Sequence, residues 1–361
     1  MRNEDLMKVV QQFRLEGAVD AITPLGDGLI NDTYLATTEP SAPDYVLQRI
    51  NHAVFTDVEL LQHNIEAVTA HLRRKLEAQG VTDTCRRVLR FIPAASGKTY
   101  FYDGNNYWRM SVYIPDTKTV SEVTPQSSYD CGLAFGRFEQ QLTDLQEPLG
   151  ETIPDFHNME LRVSQLQQAV KRDAVGRVAQ VRAELDLIER YADAMCLAER
   201  LHRSGQLPKR ICHCDTKVNN MLFDQQGRVL SVIDLDTVMP AYVFSDYGDF
   251  LRTAANTVAE DSPELDSISF RWDIFEAFTQ GYLESTSSFR TPVEREHLPF
   301  AVMLFPMMQA VRFLTDYLNG DTYYKISYAD HNLVRTRNQL RYFQCVEAGQ
   351  ATMKRMVISS L

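Results

Sequence analysis

The sequence has no CxxC pair, no internal repeat, no low-complexity tract and no surplus of basic residues. Its six cysteines, Cys85, Cys131, Cys196, Cys212, Cys214 and Cys345, are scattered along 361 residues. A chain this long does not need disulfide staples, so the pattern indicates reduced thiols in a cytoplasmic compartment. Lysine and arginine total 37 against 48 aspartates and glutamates, a formal net charge of −11. Nucleic-acid binding needs a basic face, so the balance argues against that function. Anionic nucleotides remain compatible, because magnesium and a few local cations reverse the field within one cleft. The first residues, MRNEDLMKVVQQFRLEG, mix acids and bases around no apolar core, unlike a signal peptide. No run is expected to supply the roughly 18 apolar residues of a membrane span.

What is present is ordinary for a globular enzyme: 44% hydrophobic, 10% aromatic and 24% charged residues. The length predicts two domains or lobes. Residues 6–15 read as a short amphipathic helix. AITPLGDGLINDTYLAT is apolar, then glycine-rich, then alternating, which predicts strand, tight turn and strand, and DYVLQRI continues as a third strand. Over 57–79, Val58, Leu61, Ile65, Val68, Leu72 and Leu76 form one helical stripe that Gly80 can end. RRVLRFIPA and KTYFYDGNNYWRMSVYI predict further strands, with DGNN as a hairpin turn. Residues 1–115 are therefore expected as one domain, a small antiparallel sheet with a prominent helix. Residues 116–361 are expected as a second, mainly helical domain. It has amphipathic helices over 126–146 and 176–203, a strand island in RICH, NNMLFD and RVLSVIDLD, and helix beyond 268.

The chemistry concentrates in that island. Cys212, His213 and Cys214 do not suit a metal, because consecutive side chains on a strand point to opposite faces. HCDTKVNN instead sets His213, Asp215, Lys217 and Asn220 between two strands, and VIDLD supplies Asp234, with Asp236 two positions on. A carboxylate and an amide oxygen aimed at one point suit oxygen-seeking magnesium. A second carboxylate kept off the metal can accept a proton from an attacking hydroxyl. Phosphoryl transfer asks for little more than in-line positioning and cations over the developing charge.

The pattern H-x-D-x-x-x-x-N followed by I-D-x-D resembles the catalytic and metal-binding segments of the aminoglycoside phosphotransferase and choline kinase family. GDGLINDTYL, YVLQRIN, FHNMELR, HCDTKVNN and VIDLDTVMP are similar to its N-acetylhexosamine 1-kinase subgroup, over roughly residues 20–340. The resemblance implies an α+β, protein-kinase-like fold with a small antiparallel-sheet N-lobe and a larger, mainly helical C-lobe. It implies ATP and magnesium as nucleotide and cofactor, and as acceptor the anomeric hydroxyl of N-acetylglucosamine or N-acetylgalactosamine. Asp215 is then the catalytic base or hydroxyl-orienting group, and Lys217 the cation over the transferred phosphoryl. Asn220 is a magnesium ligand, and Asp234 bridges magnesium to the ATP phosphates. His213 anchors the loop, and Asp246 braces it from behind.

The turn GDGLIND has two close glycines, short of a full GxGxxG. In the implied fold it covers the phosphates with backbone N–H groups near Gly26, Asp27 and Gly28, with Asn31 facing the cleft. Kinases of this fold place a lysine on the third strand. Here Gln48 stands there, with Arg49 pointing the other way as the alternative phosphate contact. Ser111, Val112 and Tyr113, leading out of the last sheet strand, are expected to bind adenine through their backbone. For the acceptor, AVRFLTDYLNGDTYYKI offers Arg312, Tyr317 and Tyr323, and FHNMELR offers His157, combining hydrogen-bonding groups with aromatic faces. The C-terminal segment mixes Arg312, Lys325, Arg335 and Arg337 with few acids, which leans towards a neutral acceptor. Two rivals remain: a kinase of this family acting on an amino alcohol, aminoglycoside or homoserine, and a nucleotide-binding pseudokinase supported by Gln48 alone.

Overall fold

The computed structural model describes residues 3–26, 30–120 and 122–359. Asp27 and Gly28, expected in the phosphate-covering turn, lie outside the described residues. The chain forms two units. The first is Met1–Lys118 with Asp144–Pro154 and Leu222–Met239; the second is Thr119–Thr143 with Asp155–Met221 and Pro240–Leu361. Beyond the cut expected near residue 115, the first unit thus takes in two later segments, one of which carries Asp234 and Asp236.

In the first unit, helix α1 (Asn3–Val10) precedes an antiparallel sheet of β1 (Val19–Pro24), β2 (Asp32–Thr38), β3 (Tyr45–Ile50), β4 (Tyr100–Tyr102) and β5 (Tyr107–Val112). The strand order is β1-β2-β3-β5-β4. Side-chain alternation puts Tyr45 and Leu47 of β3 on one face with Trp108 and Met110 of β5. That face packs with Leu6, Val9 and Val10 of α1, and each fully buried aliphatic side chain contributes roughly 1.5–3 kcal/mol. Gln48 and Arg109, cross-strand partners in the same register, share the opposite face. Helix α2 (Val58–Ala78) starts at Asp57, whose side chain accepts the Leu60 N–H at 2.9 Å, and buries Leu61, Ile65, Val68 and Leu72 as the stripe predicts. Asp103 builds the DGNN hairpin: its carboxylate accepts the N–H groups of Asn105 and Asn106 and the Trp108 indole N–H.

RRVLRFIPA is not the strand that was expected. Thr84–Arg87 is a helical turn, α3. Only the Ile92 N–H to Met110 O and Val112 N–H to Arg90 O bonds tie the segment to β5. Pro93, lacking an N–H, cannot extend that ladder.

The second unit is built from α4 (Pro125–Leu142), α5 (Met159–Arg172), α6 (Arg182–Met195), α7 (Leu197–Arg203), α8 (Phe244–Ala254), α9 (Trp272–Thr286), α10 (Pro292–Glu296), α11 (Leu298–Leu318) and α12 (His331–Ser359). The helix expected over 176–203 is therefore a 3-10 turn followed by two helices that meet at Cys196. The expected strand island divides into two small sheets, β7 (Met221–Phe223) with β8 (Val229–Val232) and β6 (Arg210–Cys212) with β9 (Met239–Ala241), and β8 belongs to the first unit. A Cβ on Gly248 of α8 would stand 2.5 Å from the Ala301 carbonyl oxygen of α11, so α8 sits where only glycine allows. Contrary to the sequence expectation, one helix, α11, is long and apolar enough to cross a membrane by length and composition. Its Leu304, Met307, Met308, Val311 and Leu314 instead fill the core of this unit. All six cysteines are unpaired.

Candidate active site

The HCDTKVNN loop is fixed by one buried carboxylate. Asp246, in the first turn of α8, accepts the N–H of His213 at 2.8 Å and of Cys214 at 2.7 Å, and its carbonyl accepts Thr216 Oγ1 at 2.7 Å. Cys214 is left-handed, with φ +63°. The other non-glycine residues of positive φ among the described residues are all aspartates, whose short polar side chain eases that conformation. Cys214 has no such help, so the strain is held by Asp246. The His213 ring is buried edge-on to Phe135 and Phe138, and its Nδ1 accepts the Asp215 N–H at 3.3 Å.

These constraints hold Asp215. Lys217 Nζ lies 2.7 Å from Asp215 Oδ1, and Asn220 Nδ2 donates to the Asp215 carbonyl at 2.7 Å and to Oδ2 at 3.1 Å. Burial pushes the Asp215 carboxyl up, but Lys217 outweighs it and the group ends below its ordinary value, ionised. Burial pulls the Lys217 ammonium down, yet Asp215 and Asp249 raise it further, so it stays charged. Both side chains remain partly exposed. Asn220 has spent its amide nitrogen on Asp215, which leaves the amide oxygen as the end that can meet a hard cation.

Behind the loop, donor atoms of Glu139, Cys212 and Asp246 lie within 4.8 Å of one another, a spacing a cation can accept. The chemistry does not suit one. Burial holds Glu139 and Cys212 protonated, far above their ordinary values, whereas metal ligands must be deprotonated. The Asp246 oxygens already receive backbone N–H groups. Glu139 accepts the Tyr282 O–H at 2.7 Å, and the nearby Asp246 charge adds to burial in keeping it protonated.

A second cluster in the same unit brings together His157, Arg312 and Tyr323 of the expected acceptor residues. His157 Nδ1 is hydrogen-bonded to Ser245 Oγ at 3.0 Å, and its ring stacks on Phe156 at 4.2 Å. Burial first, then Arg312 and Arg162, hold His157 neutral against the opposing pull of Asp215. Arg312 lies over the rings of Phe156 and Tyr324, at 5.1 and 5.7 Å, and donates to Gln309. Arg162 donates to the carbonyls of Asp155 and Phe156, and burial and Arg312 pull it down to about 10. Neither arginine forms an ion pair among the described residues. The Tyr324 hydroxyl and Arg162 Nε are buried without a hydrogen-bond partner. Tyr323 is exposed, 4.8 Å from Tyr324 ring to ring. Asp316 shapes this loop, its carboxylate accepting the N–H groups of Thr322, Tyr323 and Tyr324.

Tyr317 does not belong to that cluster. Its ring is buried under the Arg177 guanidinium at 4.3 Å, and its hydroxyl donates to Asp330.

In the first unit, several expected nucleotide contacts prove to be structural. Asn31 is buried, donating from Nδ2 to Asp236 Oδ2 at 2.7 Å and accepting the Asn51 N–H at 2.9 Å. Gln48 Oε1 accepts Arg109 Nε at 2.9 Å, and its amide donates to Thr33 Oγ1. Arg109 pairs with Asp236 at 2.5 Å. The buried cation beside Gln48 therefore comes from β5. Arg49, on the other face, pairs with Asp32. The Val112 and Tyr113 N–H groups are spent on the carbonyls of Arg90 and Asp44, so they cannot donate to adenine. Gly26 is left-handed, φ +70°. Asp234 follows β8 and is also left-handed, φ +60°.

The phosphotransferase enzyme family matches residues 21–283, well over half of the sequence. The chain belongs to that family. Among solved structures, this phosphotransferase is similar to an aminoglycoside phosphotransferase from Alicyclobacillus acidocaldarius, at 15% identity and TM-score 0.62, covering 97% of this chain and 96% of that one. It is also similar to a spectinomycin phosphotransferase solved with ADP and spectinomycin, at 12% identity and TM-score 0.62, over 96% and 99% of the two chains. A choline/ethanolamine kinase family protein from Mesorhizobium loti matches at 16% identity and TM-score 0.53, over 91% and 93%. At such identities the likeness is one of fold: α+β, with a small antiparallel sheet in the N-terminal part and a mainly helical C-terminal part, as in protein-kinase-like enzymes.

Proposed function

We propose that this phosphotransferase is an ATP- and magnesium-dependent cytoplasmic kinase that phosphorylates the anomeric hydroxyl of an N-acetylhexosamine. N-acetylglucosamine and N-acetylgalactosamine are the acceptors. Residues 1–115 cover the nucleotide, with Gly26, Asp27 and Gly28 offering backbone N–H groups to its phosphates, and residues 116–361 bear the acceptor chemistry. Asp215 receives the hydroxyl proton as the sugar oxygen bonds to the γ-phosphorus and the bond to the ADP oxygen breaks; the proton then passes to solvent. Lys217 sets its ammonium over the transferred phosphoryl group. Asn220 and Asp234 are the magnesium ligands, hard oxygen donors that fit the ion. When bound, magnesium neutralises charge on the phosphate oxygens.

The observation that favours this acceptor is the pair Arg162 and Arg312, neither in an ion pair among the described residues, beside Phe156 and Tyr324. A cationic acceptor would be brought against like charge in a partly dry site, a repulsion that selects against it. An N-acetylated sugar offers carbonyl and hydroxyl oxygens to both guanidinium groups and to the orphan Tyr324 hydroxyl, and a C–H face to the rings. The spectinomycin enzyme and the choline/ethanolamine kinase relative are named for other small acceptors, and a panel separates the choices. ADP release is measured with N-acetylglucosamine, N-acetylgalactosamine, choline, homoserine and aminoglycosides at fixed ATP and magnesium. The N-acetylhexosamines are expected to raise the rate well above the others. Faster turnover with choline or an aminoglycoside would overturn the assignment.

A further inference from the structure

The segment carrying Asp234 is gripped from several directions. Two residues on, Asp236 is buried, its carboxylate held by Asn31 Nδ2 at 2.7 Å and by the Arg109 guanidinium at 2.5 Å. The Asp236 carbonyl accepts Thr152 Oγ1 at 2.8 Å, and the Val238 carbonyl accepts Asn64 Nδ2 at 3.0 Å. Arg109 is braced in turn by Gln48 Oε1 and lies over the Phe91 ring at 5.6 Å. A buried ion pair is a poor way to gain stability, because desolvating both charges cancels most of their attraction and apolar side chains of similar volume do as well. What the pair adds is direction. The Asn31 hydrogen bond fixes Oδ2, while Oδ1 sits in charge contact with the Arg109 guanidinium without an aligned hydrogen bond, so both oxygens tie the backbone just after Asp234 to fixed side chains. Asp234 itself is left-handed, φ +60°, a conformation that aspartate adopts more readily than most residues.

We propose that Arg109, Asp236 and Asn31 form a positioning cluster that aims the Asp234 carboxylate at a nucleotide-bound divalent cation. The proposal rests on the reading of Asp234 as a magnesium ligand. Asn31 follows the turn at Gly26 and also accepts the Asn51 N–H, so the exit of that turn is tied to the same carboxylate. All three residues act through Asp234, and none is a catalytic residue.

Calorimetric titration of the full chain with ADP, with and without magnesium chloride, reads the metal's contribution to binding without any turnover. The test variants are Asn31→Ala and the double change Arg109→Met with Asp236→Leu, which removes both charges together and fills the space with apolar groups. Wild type is expected to bind ADP more tightly with magnesium. Both variants should keep the metal-free ADP affinity and lose about tenfold or more of the magnesium-linked gain, the usual effect of removing an outer partner of a metal ligand. Should the double variant fold poorly, Asn31→Ala decides alone. A wild-type magnesium gain in a folded variant overturns the proposal, as does an equal loss of metal-free affinity, which marks a purely structural role. If wild type binds ADP but shows no magnesium gain, the assignment of Asp234 as a ligand fails, and the cluster's role with it.

Discussion

Replacing Asp246 by asparagine tests how the reactive loop is held. The carboxylate accepts two successive backbone N–H groups, from His213 and Cys214, at 2.8 and 2.7 Å. Asparagine has nearly the same shape but one oxygen, and its amide nitrogen would face the remaining N–H. Hydrogen bonds to a charged group contribute roughly 1.5–3 kcal/mol each, and a buried donor left unmatched costs about 1–3 kcal/mol. Against this stands the cost of keeping a charge in the interior, which burial records by raising the Asp246 carboxyl above its ordinary value. Removing that charge offsets part of the loss, so the net destabilisation is about 2–3 kcal/mol. For a folding unit of this size that lowers the melting temperature by about 5–10 °C. The left-handed Cys214 would relax, Asp215 would shift, and turnover would fall by about a hundredfold for a displacement near 1 Å. Scanning calorimetry and ADP release measure both effects. A melting temperature within about 1 °C of wild type, together with unchanged turnover, would refute the reasoning.

Two further predictions concern the neighbouring groups. Burial raises the Glu139 carboxyl well above 4.5, so the folded chain keeps a proton that the unfolded chain releases as pH rises past that value, and stability falls over that range. Glu139→Gln is neutral at every pH, so its melting temperature relative to wild type should increase between about pH 5 and pH 8; a constant difference would contradict the assignment. Arg312→Ala should raise the KM for N-acetylglucosamine by about tenfold, equivalent to about 1.4 kcal/mol, and leave the KM for ATP unchanged. A larger effect on ATP would remove Arg312 from the acceptor site.

Much of this was legible because it is local. The α2 stripe, the DGNN hairpin and the spacing in HCDTKVNN and VIDLD are set by neighbours in sequence, where periodicity and turn chemistry speak directly. The pairings that complete the sites are not local. Glu139 meets Asp246 and Arg109 meets Asp236 across more than a hundred residues, and no pattern in either segment announces its partner. Arg109 became readable only through the β3–β5 register that sets it opposite Gln48. Tyr317 was open to correction from sequence alone: five positions from Arg312, it points about 140° away around a helix. The Val112 and Tyr113 N–H groups are closed to adenine because the carbonyls of Arg90 and Asp44, outside the strand, take them. RRVLRFIPA had strand-like residues, but Pro93 interrupts the ladder.

The most direct measurement pairs turnover with nucleotide binding in Asp215→Asn. Asparagine keeps the shape, can still be reached by Lys217 and Asn220, and cannot take the hydroxyl proton. The account predicts that N-acetylhexosamine-dependent ADP release drops by about 10²–10⁴-fold, while the ADP dissociation constant measured with magnesium stays within about twofold of wild type. Wild-type turnover in this variant would contradict it.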